Sequence, residues 1–171
     1  LFALVGMTIS SLMGIISLFN RNLTLATGLF FASFVYLIGY YTYKRFNKIA
    51  LSSAITLYSL YLLMFYLMFT GGVENTGPLW IYIVAPVSVF LHGLKRGLID
   101  ITCFVVIISS IMFMPIETIE HAIYSTEFKL RLLYSFLTVT FLSALYEYSR
   151  EQSYKHTLEL SKKYQRLAHF D

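Results

Sequence analysis

The polar side chains that could do chemistry are few and sit in short groups between apolar runs. The most distinctive group is Thr70-Gly71-Gly72-Val73-Glu74-Asn75-Thr76-Gly77-Pro78-Leu79-Trp80. Its glycines permit tight turns, Asn75 and Thr76 can cap a helix that starts near Pro78, and Trp80 suits a membrane–water interface. The segment has a second reading, as the rim of a ligand pocket made by Glu74, Asn75, Thr76 and Trp80, with Tyr58, Tyr61, Tyr66 or Tyr82 as walls. Irregular backbone within a membrane protein is tolerated where it lines a cavity.

His92 and Asp100 flank the turn Gly93-Leu94-Lys95-Arg96-Gly97 and are expected to form an intramembrane polar contact or a proton-sensitive switch. The alternative is that these residues hold the turn at a membrane surface. Glu117, Glu120, His121 and Glu127 could bind a divalent cation, but their spacing matches no known site and no metal is expected. No pair of histidines on facing runs is placed to hold a haem. Gly71-Gly72 lacks the downstream Gly-Lys-Ser/Thr of a phosphate loop. No nucleophile stands beside a base, so no catalytic residue is expected in the chain. The lone Cys103 lies inside an apolar run, where it reads as a small buried hydrophobe.

The elements that must position these groups are membrane helices. Of the 171 residues 57% are hydrophobic and 13% charged, with a mean hydropathy of +0.68; a soluble domain has about 25% charged residues. The apolar runs are Leu1 to Phe19, Leu23 to Tyr43, Ile49 to Thr70, Leu79 to Leu94, Leu98 to Met114 and Leu130 to about Tyr146. They predict an all-α membrane protein, a bundle of six transmembrane helices. Pro86 is expected to kink the short fourth run.

Lys44, Arg45, Lys48, Lys95, Arg96 and Arg150 then share one side, which the positive-inside rule makes cytoplasmic, along with both ends of the chain. Arg21, Lys129 and Arg131 on the other side dilute that bias. The basic residues form no stripe with interleaved aromatics, so nucleic acid is not an expected partner. The chain opens at Leu1 inside an apolar run, and its natural start is expected upstream.

After Tyr146 charges accumulate, and no Pro or Gly interrupts Leu130 to Asp171. The last helix is therefore expected to leave the membrane and continue as a signalling helix. Ser153, Thr157, Leu160, Tyr164 and Leu167 follow heptad spacing, which suits a parallel homodimeric coiled coil. This divides the chain into a transmembrane sensor domain, 1–146, and a cytoplasmic helix, 147–171.

The 70–80 segment, Pro86 and the 93–97 turn resemble the multi-helix membrane sensor regions that precede bacterial GGDEF-type diguanylate cyclases and some histidine kinases. Leu167-Ala168-His169-Phe170-Asp171 is similar to the entry of a GGDEF domain, with Asp171 as the first residue of its Asp-x-Leu-Thr motif. The resemblance implies a sensor in the bacterial inner membrane, bound to lipid, that answers a small-molecule or lipid-like ligand. The signal would pass through Leu160, Tyr164, Leu167 and Asp171 to a cyclase domain that joins two GTP into cyclic di-GMP with Mg2+. A histidine kinase sensor is the alternative, although His169 lacks the acidic residue that follows a phosphoacceptor. A channel or transporter is a third, with no inverted repeat in its favour.

Overall fold

The computed structural model describes residues 2–113 and 122–168, and side chains as far as Gln165. Among these residues the chain is helical and has no strand. The order is α1 (Phe2–Phe19), α2 (Leu23–Phe46), α3 (Ile49–Thr70), two 3-10 stretches (Val73–Asn75 and Gly77–Ile83), α4 (Val84–Phe113) and α5 (Thr126–Ala168). Five helices are long and apolar enough to cross a membrane, the fourth of them counted from Gly77 to Phe113.

Short polar caps set the ends of these helices. The Asn22 side chain accepts from the Leu25 N–H at 3.1 Å to open α2. Asn47, at φ 51°, closes α2 with its N–H on the Tyr43 carbonyl at 2.9 Å, and Gly71, at φ 79°, closes α3. Both use the left-handed conformation that ends many helices.

Six runs were expected where five helices stand, and the difference lies in α4. Gly93 has φ 76° and ψ 171°, backbone angles that essentially only glycine adopts. A Cβ built on Gly97 would stand 2.7 Å from the Val89 Cα and 2.9 Å from the Ser88 carbonyl oxygen. Eight residues of straight helix would put these positions about 12 Å apart. α4 is therefore folded at Gly93, and its two arms press together there. The turn needs one residue, not the five-residue break that the sequence suggested.

The kink expected at Pro86 is absent, because Pro86 lies in the first turn of α4, directly after the 3-10 stretch. There the missing N–H interrupts no established α-helical ladder. The 3-10 stretch also lengthens the shortest apolar run. A rise of about 2.0 Å per residue over Gly77–Ile83 and about 1.5 Å from Val84 to His92 gives roughly 27 Å, close to the hydrocarbon thickness of about 30 Å.

The core joins α3, α4 and α5 through aromatic rings. Phe104 stacks on Tyr61 at 5.0 Å between centroids and lies 5.1 Å from Phe65 and 6.1 Å from Phe136. Phe104 and Phe136 are the bulkiest fully buried side chains. Cys103, next to Phe104, is exposed rather than buried, since Ile101, Phe104 and Ile108 take the inward face of α4. By contrast α1 packs almost wholly on α2. Gly6 faces Tyr36, Gly14 faces Phe30, and the Ser11 and Ser33 hydroxyls are bonded at 2.7 Å.

The segment leading into α5 ties down the far end of α3. The Ala122 N–H donates to the Phe69 carbonyl at 3.0 Å and the Tyr124 hydroxyl to the Met68 carbonyl at 2.9 Å. Burial pushes the Tyr124 phenol up to about 12, so it stays a donor. The Lys129 ammonium donates to the Met112 carbonyl and lies 5.5 Å from the Phe113 ring centroid. This cation, which weakened the charge asymmetry in the sequence, serves to satisfy the end of α4.

Because Gly93 sits in open space but at a glycine-only conformation, Gly93→Ala should cost about 1–3 kcal/mol through backbone strain. Replacing exposed Ile99 by Ala should stay within about 0.5 kcal/mol. Thermal unfolding in detergent compares the two directly.

Candidate functional site

Residues 71–80 fold back onto the end of α3. The Gly77 N–H donates to the Gly71 carbonyl at 2.8 Å, the Thr76 N–H to Val73 at 2.9 Å and the Leu79 N–H to Thr76 at 3.0 Å. Gly72, Glu74 and Asn75 all have positive φ, which makes the turn unusually tight. Gly77 is wedged against backbone: a Cβ there would lie 2.6 Å from the Leu67 carbonyl oxygen. This contact fixes the direction of Pro78 and Trp80, which follow. Thr76 occupies the cap position of the 3-10 stretch, yet its hydroxyl turns back to the Val73 carbonyl at 2.7 Å. The side-chain cap expected from Asn75 and Thr76 is not made, since the tight turn already satisfies these backbone groups.

A cavity of about 370 Å³ lies between α1, α3 and this hairpin. Its walls are mainly apolar, including Ile9, Met13, Leu63, Met64 and Leu67, and its polar side chains are Ser10, Ser17, Asn20 and Thr76. A second space of about 110 Å³ continues from it toward Phe2 and Val87, sharing Ile9, Ser10, Leu63, Met64 and Trp80. Two of the four rim residues expected from sequence, Thr76 and Trp80, border the cavity. Glu74 and Asn75 do not: both are exposed, and the Asn75 side-chain oxygen Oδ1 lies against Gly71.

The expected tyrosine walls are engaged elsewhere. The Tyr61 hydroxyl pairs with Ser88 at 2.7 Å, Tyr66 donates to the Thr24 carbonyl at 2.6 Å, and Tyr82 meets Ser135 at 2.5 Å. The α1 wall, with Ser10 and Ser17, was missed. Its signal in the sequence is two serines seven residues apart, on one helix face of a mainly apolar run.

At the opposite, Gly93 end, the Asp100 carboxylate accepts from His92 Nδ1 at 2.6 Å, so the fold of α4 brings the expected pair together. Tyr58 presents its ring to His92 at 6.0 Å, and Arg96 joins them around an open cavity of about 620 Å³. Beside it runs a second chain of contacts that the sequence did not suggest. Phe2 of α1 packs on Phe90 of α4 at 4.9 Å. The Arg150 guanidinium of α5 lies over the same Phe90 ring at 4.8 Å and donates to Glu147, which is 3% exposed. α5 thus touches the bundle beyond Tyr146.

Further along α5, Leu160 and Tyr164 are exposed, as are Ser153 and Thr157 of the same seam. The Leu167 side chain and Asp171 lie outside the described residues, as do Glu117, Glu120 and His121. Among the described residues no cluster of His, Cys, Asp or Glu could hold a metal ion.

Trp80 is the only tryptophan in the chain, so its fluorescence reports the hairpin. Gly77→Ala should force the hairpin off α3, at about 1–3 kcal/mol of overpacking, and shift Trp80 emission to the red. Glu74→Ala should leave the emission unchanged.

No curated protein and no solved structure matches the chain. The family model of MASE6, a group of multi-helix membrane-associated sensor domains, matches residues 1–156. The match covers α1 to α4 and α5 past the Arg150 contact. The chain belongs to the MASE6 family.

Proposed function

We propose that this membrane-associated sensor domain is the sensory and dimerising region of a diguanylate cyclase, and that it drives its output through α5. The observation that carries this reading is the contact chain Phe2–Phe90–Arg150–Glu147. It links α1, which otherwise packs on α2, to the helix that continues to Ala168. A displacement of α1 moves Phe2 off the Phe90 ring that Arg150 also contacts.

In this reading α4 makes two crossings about Gly93, giving six in all and both chain ends in the cytoplasm. Lys44, Arg45, Lys48, Lys95, Arg96 and Arg150 then gather at the cytoplasmic surface. The hairpin 71–80 faces outward and receives the stimulus. The exposed seam Ser153, Thr157, Leu160 and Tyr164 pairs with a second copy, burying apolar surface that a lone helix leaves in water. Two cyclase domains on such a dimer can present two GTP, held with Mg2+, to each other. A stimulus alters their presentation only by its differential affinity for the two helix packings. His92 and Asp100 belong to the Gly93 turn, which they fasten.

Arg150→Ala removes a cation–π contact worth about 0.5–1 kcal/mol at exposed sites and strips Glu147 of its partner. In the full-length protein it should change the basal cyclic di-GMP level about two- to fivefold, as should Phe90→Ala, while membrane insertion and dimerisation stay intact. Leu-Thr should follow within a few residues of Asp171, and a Gly-Gly-Asp/Glu-Glu-Phe site later in the chain. Unchanged cyclic di-GMP in both variants would end the relay reading, and a kinase ATP-binding domain in that place would end the cyclase reading.

A further inference from the structure

We infer that the cavity between α1, α3 and the 71–80 hairpin binds a single-chain amphiphile: one aliphatic chain with an uncharged, hydrogen-bonding head. The inference deepens the sensory reading and rests on it for its purpose, but occupancy of the cavity is a separate property.

The charge of the ligand follows from the lining. Among the described residues, neither the main space nor its continuation is bordered by Lys, Arg, His, Asp or Glu. A carboxylate or ammonium head would be buried without a counter-charge, which is strongly unfavourable in an apolar site.

The polar head follows from two serines. Ser10 and Ser17 are only 4% and 2% exposed, and both border the cavity. Among the described residues neither hydroxyl has a hydrogen-bond partner, although the other serines and threonines of the bundle commonly bond a carbonyl of their own helix. Every fully enclosed side-chain polar atom of the described residues has a partner, so these two oxygens reach open space, and the space before them is the cavity. A hydroxyl or carbonyl head would satisfy Ser17 together with Asn20 and Thr76 at the hairpin end. Ser10, half-way along, offers a second point on the chain.

The shape follows from the walls. From Asn20 to Phe2 the α1 wall rises about 27 Å, and the space beside it narrows from about 370 Å³ to about 110 Å³. The main space is at the small end of ligand pockets, which span about 300–1,000 Å³. It accommodates one chain and not two. A chain long enough to fill the narrow part ends beside Phe2 and Val87, one turn from Phe90.

Trp80 borders both spaces and is the sole tryptophan, so quenching by brominated chains reads occupancy without any output domain. The chain in nanodiscs of zwitterionic phospholipid is titrated with bromododecanol, with bromododecanoate and with phospholipid brominated on its acyl chains. Saturable quenching by the alcohol is expected, at least tenfold tighter than by the carboxylate. Ser17→Ala, which removes one oxygen and no carbon, should weaken the alcohol about three- to tenfold, the worth of one neutral hydrogen bond. Quenching that rises linearly and equally for alcohol and carboxylate, or an alcohol affinity untouched by Ser17→Ala, would overturn the site. So would complete quenching by the brominated phospholipid, which would make bulk lipid the occupant. None of these results bears on whether α5 controls an output.

Discussion

In a medium without water, a backbone N–H or C=O that finds no partner in the protein costs several kcal/mol, and this demand shapes each bend in the chain. Gly93 folds α4 within one residue, so few backbone groups are freed. At the other end, Ala122 and Tyr124 supply the last carbonyls of α3, Lys129 supplies that of Met112, and the hairpin closes on itself through Gly71 and Gly77. Side chains of types that sequence reading associates with binding, such as Asn75 and Tyr124, are spent on these bonds and contacts.

The same economy leaves α1 apart from the rest. α3, α4 and α5 are joined by a run of rings centred on Phe104, and α2 is fastened to α3 where Gly28 accepts the Tyr66 ring and Ser52 donates to the Gly39 carbonyl. α1 leans on α2 through glycines and serines, and opposite α3 it leaves a cavity instead of a contact. α1 packs extensively on α2 but not on α3, so a molecule in the cavity meets the α1 face that no helix covers. The first turn of α1 is where Phe2 meets Phe90, so in the proposed reading one helix borders the cavity and reaches the contact with α5.

Much of this was readable from residue types. The apolar helices, the Gly93 turn and its His92–Asp100 pair all follow from local rules, because each depends on neighbours in sequence. Pro86 misled because its effect depends on the 3-10 geometry before it. Cys103 misled because an apolar run in a membrane has a lipid face that is as apolar as its core. A cavity does lie at the hairpin, but Glu74 and Asn75, conspicuous in the sequence, do not line it, whereas Ser10 and Ser17 join it only through the placement of α1 in the fold. The Phe90–Arg150 contact joins residues sixty apart and has no local signature.

The central claim is that a molecule in the cavity beside α1 is felt by α5 at the Gly93 end. Spin labels on Leu12→Cys and Tyr148→Cys, both exposed positions outside the cavity, in a Cys103→Ser background would measure the α1–α5 separation in nanodiscs. The account predicts that dodecanol shifts this distance distribution, and that Phe90→Ala leaves the distance insensitive to it. A distribution that is the same with and without dodecanol, in a chain whose Trp80 shows the amphiphile bound, would contradict it.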